Sequence, residues 1–243
     1  MVKHVATWFI FAAQALVTTS AQFVGDYVAT TSSLSIRASV SDEFLVWQFD
    51  GRGEQPVSVE IGYPVFKDEG DYTVYYPNFG RFERLMTNAF PEVQMQDGEL
   101  TVLAEYGLTA FTTLLEGEKV FFLRRALPLV PGTYVYDGDD SFKLILTISP
   151  TDVFLNFECR HATHGRRFSN FIVGERTNIN FLPGADADYA SFIRDVAESC
   201  PGSDLPTGGT PSFYLFSATP ERVYLHLQGV ETRTLALDEM NWN

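Results

Sequence analysis

The chain has 243 residues, 45% hydrophobic and 14% aromatic, which is ample material for a packed core and excludes a disordered chain. Thirty-one acidic residues against 17 basic ones leave a formal charge of −14, a field that repels phosphate backbones, so nucleic acid is not an expected partner. With only two cysteines, folding must rest on burial rather than on a disulfide framework.

In chain order, the first element is a targeting segment. Lys3 and His4 make a short basic start, residues 5–17 are mostly apolar, and Thr19-Ser20-Ala21 present small residues where a signal peptidase reads. The apolar stretch falls short of the ~20 residues that a membrane-spanning helix needs, and no later stretch reaches that length. A signal peptide over 1–21 predicts a secreted, extracellular mature chain without a transmembrane segment.

The remainder reads as two tandem copies of one unit, 22–128 and 129–243. Val24-Gly25-Asp26-Tyr27-Val28 recurs as Pro131-Gly132-Thr133-Tyr134-Val135 at a shift of 107. Leu34, Ile36, Ala38 and Val40 alternate with polar residues, and at a shift of 108 their partners are Phe142, Leu144, Leu146 and Ile148. The same shift lays Trp47-Gln48-Phe49 over Leu155-Asn156-Phe157. Further on, Val74 and Tyr76 meet Ile179 and Phe181 at 105, and Phe79, Phe82, Met86 and Pro91 meet Tyr189, Phe192, Val196 and Pro201 at 110. Last, Glu118-Lys119-Val120-Phe121 aligns with Glu221-Arg222-Val223-Tyr224 at 103. Two prolines and a glycine in 127–132 make the join short and stiff.

Within the first copy, period-2 patterning predicts strands at 27–28, 34–40, 44–49, 57–66 and 72–76, with a polar turn at 30–33 matched by 137–140 in the second copy. The period then changes. Phe79, Phe82 and Met86, like Tyr189, Phe192 and Val196, fall on one helical face. Asp186 or Asp188 could cap the second helix, and Pro91 and Pro201 close the two. Strands follow at 100–103, 110–115 and 119–124, and at 212–218, 222–228 and 231–237. The expected class is α+β, each copy an antiparallel sheet carrying one amphipathic helix laid across a curved face. A pair of small barrels or sandwiches with a peripheral helix is the alternative.

The repeat makes the cysteines readable. Cys159 falls opposite Gly51 and Cys200 opposite Phe90, so the first copy lacks both, as a bonded pair would leave it. A Cys159–Cys200 disulfide is predicted, contributing on the order of 3–4 kcal/mol in the chain-entropy model.

Candidate chemistry is sparse. Cys159, His161 and His164 have ligand-like spacing, but an oxidised cysteine cannot ligate, so neither metal nor cofactor is expected. Arg160, His161, His164, Arg166 and Arg167 form the one dense basic run, a candidate patch for an anion or an acidic partner unless it is simply a solvated loop. Asp137-Gly138-Asp139-Asp140 and Asp186-Ala187-Asp188 resemble pieces of calcium loops without the closing glutamate. No Gly-x-Ser-x-Gly elbow, His-Glu-x-x-His or phosphate loop occurs, and no catalytic residue is assigned. The surplus of aromatics, 21 Phe and 11 Tyr, fits a two-sided core in which the helix or the other copy covers the second face of each sheet; the functional alternative is an apolar groove between helix and sheet, lined by Phe79, Phe82, Met86, Tyr189, Phe192 and Val196. The expected function is a secreted, non-enzymatic binding protein for an unknown protein or small apolar molecule. The alternatives are a secreted hydrolase with its site in the second copy near His161, His164 or His226, and a structural extracellular component.

Overall fold

A computed structural model describes residues 23–52, 57–68, 71–125, 127–139, 142–160, 162–169, 172–173, 180–181 and 186–240. The expected signal peptide, His161 and the aligned Ile179 lie outside the described residues.

The first half contains β1 (Gly25–Thr30), β2 (Leu34–Val40), β3 (Phe44–Gly51), β4 (Ser58–Asp68), β5 (Asp71–Val74), α1 (Phe79–Ala89), β6 (Val102–Leu103), β7 (Ala110–Leu115) and β8 (Glu118–Arg125). All eight strands form one antiparallel sheet in which β8 returns to pair with β1. Between β6 and β7 the amides of Ala104 and Thr112 each donate to the other's carbonyl, at 2.8 and 2.9 Å. That bridge completes the ring of pairings and removes the open edges that invite aggregation. The curved sheet therefore closes on itself in this half, as the barrel alternative has it. Period-2 patterning dictates what the ring encloses: Leu34, Ile36, Ala38 and Val40 of β2 and Leu45, Trp47 and Phe49 of β3 are all buried.

The helix lays one face on that core and leaves the other, with Arg81, Glu83, Arg84 and Thr87, in water. Asn78 opens α1 by accepting the Arg81 amide on its Oδ1 at 3.0 Å. One turn of spacing then carries Phe82 and Met86 into the same core, where Phe82 meets Phe49, Tyr63 and Tyr76 at centroid distances of 6.1, 5.7 and 5.0 Å.

The second half contains β9 (Gly132–Asp139), β10 (Phe142–Ile148), β11 (Asp152–Cys159), β12 (Ala162–Ser169), β13 (Ile172–Val173), β14 (Asn180–Phe181), α2 (Asp186–Ser199), β15 (Ser212–Ser217), β16 (Arg222–Gln228) and β17 (Thr232–Glu239). Among the described residues its strands run β12-β11-β10-β9-β17-β16-β15-β14-β13. The two ends of that order, β12 and β13, are neighbours in the chain. They correspond to the two parts of the single β4, which pairs with β3 over its first residues and with β5 over its last. The cyclic order of the two sheets is thus the same.

Local hydrogen bonds repeat as well. Tyr27 Oη donates to the Phe23 carbonyl at 3.1 Å, and Tyr134 Oη to that of Val130 at 3.0 Å. Ser41 and Phe44 bond amide to carbonyl at 2.8 Å, as Ser149 and Asp152 do at 2.9 Å. Both helices end alike, with the Phe90 amide on the Met86 carbonyl at 2.7 Å and the Cys200 amide on that of Val196 at 2.8 Å.

One alignment is corrected. Glu118–Phe121 opens β8, which closes the first ring on β1, whereas Glu221–Tyr224 leads into β16, an interior strand of its sheet. The strand matching β8 is β17, which pairs with β9. Both segments begin a strand after a hairpin turn, and alternation alone cannot tell one hairpin strand from the next.

Among the described residues three apolar clusters result, one within each sheet and a third between them. The third joins Val24 and Leu108 to Phe216, Ala218 and Tyr224 on the outer surface of β15 and β16. The Val24 amide donates to Tyr224 Oη at 2.8 Å. Arg124 donates to the carbonyls of Leu108, Val24 and Phe23 and to Tyr27 Oη, with its guanidinium 4.6 Å from the Tyr27 ring centroid and 5.4 Å from that of Tyr224. Arg222 bonds Asp42 across the junction at 3.1 Å while its Nε holds Asp238 at 2.6 Å. The two units are docked, not tethered.

Candidate functional site

Cys159 ends β11 and Cys200 follows α2, and the two are bonded with their Cα atoms 5.6 Å apart. The sulfur pair is therefore structural, and Cys159 has no thiolate to offer a metal. Among the described residues no group of three or more His, Cys, Asp or Glu is placed to hold a metal ion.

The basic run is not one surface. Most of it is strand β12 rather than the solvated loop considered above, paired residue by residue with β11. A strand sends alternate side chains to opposite faces, so His164 and Arg166 share a side with the buried Phe168, while Arg167 projects outward. Arg166 reaches over the start of α2, donating to the Asp188 carbonyl at 3.1 Å with its guanidinium 5.8 Å from the Phe192 ring. Its charge is committed to holding helix against sheet. Arg160 sits exposed at the β11–β12 turn. α2 begins at Asp186, and Asp188 falls inside its first turn, where a carboxylate suits the positive helix end.

The predicted apolar groove is also corrected. Phe82, Met86, Tyr189, Phe192 and Val196 are buried core residues. The aromatic stripe that suggested a groove is consumed by the sheet interiors. Burial pushes the Tyr189 hydroxyl well above its usual pKa. Phe79 is the exception. It stands at the N-terminal end of α1, half-buried, and lines a cavity of about 570 Å³.

That cavity lies where the end of β4, β5, the start of α1 and the turn at Asp97-Gly98 converge. Its wall is aromatic: Phe66 and Tyr75, 58% and 54% exposed, face each other edge to face at 6.3 Å, with Tyr76 and Phe79 alongside, 5.5 Å apart. Tyr76 is held from behind, because Trp47 Nε1 donates to its hydroxyl at 3.0 Å and that hydroxyl donates to the Leu100 carbonyl at 2.9 Å. Burial keeps this phenol neutral, so it remains a donor throughout the ordinary pH range. Lys67, Thr73, Asp97 and Thr101 supply polar groups at the margin. The sequence did carry a signal for this place. The run Val74-Tyr75-Tyr76-Pro77-Asn78-Phe79 has more consecutive aromatics than one face of a strand can bury. Alternation sends Val74 inward and Tyr75 out, and Pro77 then turns the chain into the helix.

His226, on β16, faces outward beside Tyr214, with Nδ1 2.8 Å from Thr234 Oγ1 on the neighbouring strand. Partial burial lowers its pKa below the ordinary imidazole value.

No protein-family model matches the chain, and no curated protein does. Among solved structures, a putative DNA polymerase III beta subunit from Eubacterium rectale aligns with 93% of this chain at 7% identity and a TM-score of 0.17. The chain spans 59% of the length of that protein. A likeness of that size bears on neither fold nor partner. Among the described residues, no helix is long and apolar enough to cross a membrane.

Proposed function

We propose that the chain is a secreted, non-enzymatic binding protein that takes a small, largely apolar molecule with an aromatic body in the first-unit cavity. The observation that carries the reading is the aromatic lip. Phe66 and Tyr75 leave just over half of their surface in water and so forgo roughly half of the ~1.5–3 kcal/mol that full burial of each side chain would give, which a ligand seated against them would recover. The volume falls within the range of about 300–1,000 Å³ usual for small-molecule sites. Tyr76, fixed by Trp47 and Leu100, gives the wall a pre-formed shape, so little ordering is needed on binding. The division into tandem copies at 128/129 belongs to the same reading, supported by the matched strand order and turn bonds.

Titration with 1-anilinonaphthalene-8-sulfonate, an aromatic probe, tests the proposal on natively folded protein. Saturable one-to-one binding is expected, weakened at least tenfold in a Phe66→Ala/Tyr75→Ala variant whose near-UV circular dichroism is otherwise preserved. Equal affinity in that variant would place the probe elsewhere and defeat the reading.

A further inference from the structure

The junction between the units is itself a repeated geometry with one half unused. In the second unit the outer face of β15–β17 is covered by the end of the first unit, where Phe23, Val24 and Leu108 press on Phe216 and Tyr224. Strand registers identify the matching face of the first unit. Val28 stands opposite Leu123 as Val135 stands opposite Asp238. Leu123 stands opposite Ala110 as Asp238 stands opposite Arg222, and Phe121 opposite Thr112 as Ala236 opposite Tyr224. The outer face of β6–β8 is thus the counterpart of a covered surface, and beyond Thr112, which the Glu105–Lys119 ion pair covers, its apolar side chains stand in water. Phe121 and Leu123 are each 61% exposed, with Leu114 and Val102 exposed beside them. Four large apolar side chains side by side in water are unusual for an isolated unit.

The would-be occupant can be read the same way. At the positions of Phe23 and Val24 the second unit has Val130 and Pro131, both exposed. At the position of Asp42 it has Pro150, one residue after the matched serine, and Pro220 occupies the β15–β16 turn as Leu108 occupies the β6–β7 turn. Both sides of the contact change together. Within the chain Asp42 meets the charged pair Arg222 and Asp238. In the repeated contact Pro150 would meet Ala110 and Leu123. Charge meets charge in one, and apolar meets apolar in the other.

We infer that the chain assembles head to tail, the Val130/Pro131/Pro150 end of one copy seating on the β6–β8 face of the first unit of the next. Such a contact uses two different surfaces and does not close on a dimer, so it adds copies beyond two, in a row or a larger ring. The inference stands apart from the ligand cavity, whose lining it does not use.

Sedimentation velocity of the mature chain from micromolar to near-millimolar concentration should show species that keep growing past the dimer. A face variant (Phe121→Glu/Leu123→Asp) and an end variant (Val130→Asp/Pro150→Asp) change exposed side chains and should each be folded and monomeric. An equimolar mixture of the two retains one intact face and one intact end, and should form a dimer and stop there. A wild-type chain that remains monomeric overturns the inference. So does a wild-type chain that stops at a dimer, or a mixture of the variants that stays monomeric.

Discussion

At the far end of the helix the two units pack the same corner with different chemistry. In the second, the last residue of β11 is tied to the residue after α2 by the Cys159–Cys200 bond. In the first, the matched positions hold Gly51 and Phe90, and the buried Phe90 ring lies so close that a Cβ on Gly51 would stand 3.2 Å from its Cε1. A cross-link acts chiefly by restricting the unfolded chain, whereas an aromatic plug acts by burying surface in the folded one. The backbone around each is the same, down to the following turn, where Val93 bonds the Phe90 carbonyl at 2.9 Å and Ser203 that of Cys200 at 3.1 Å. Conserved backbone with exchanged side chains shows that the corner needs a fastening, not a particular one.

The comparison can be broken at several points. The largest effect should come from Phe90→Ala, which removes the plug and leaves a cavity, costing about 3–5 kcal/mol in urea denaturation. Breaking the bond with Cys159→Ser/Cys200→Ser should cost about 2–4 kcal/mol. In that variant hydrogen exchange should accelerate in the second sheet and stay slow over β1–β3. Gly51→Ala should cost about 1–2 kcal/mol, since the new methyl group presses on the Phe90 ring and the ring must shift. The smallest effect concerns pH and only the second unit. Burial depresses the His226 pKa, so its neutral form is favoured in the folded state. Its share of stability is complete above the unfolded value of about 6.5 and is lost as the pH falls through the folded value. His226→Gln should therefore flatten the acid limb of the stability curve slightly, as read by thermal melts between pH 8 and pH 5.

Much of this architecture was legible in the residues because burial leaves periodic marks. The alternation of Leu34, Ile36, Ala38 and Val40 located β2, the stripe Phe79-Phe82-Met86 located α1, and the offset of Gly51 and Phe90 from the cysteines marked the bonded pair. What stayed hidden depends on long-range pairing. Ring closure between Ala104 and Thr112 joins segments with no local signature, and β12 is disguised by its His, Gly and Arg content because its outer side chains are solvated. The expected groove between helix and sheet is filled for a related reason. Helical spacing marks which side chains face inward but not whether the space they face is already full, and only Phe79, at the end of the stripe, was left at a surface.

The equivalence of the two corners is open to one direct measurement. Installing Gly51→Cys and Phe90→Cys together, then mapping peptides of the oxidised protein without reductant, should yield a peptide linking 51 to 90 alongside the native Cys159–Cys200 pair. If both new thiols instead remain free to alkylation in the folded protein, the first unit does not bring those positions together as the second does, and the account of one unit built twice is wrong.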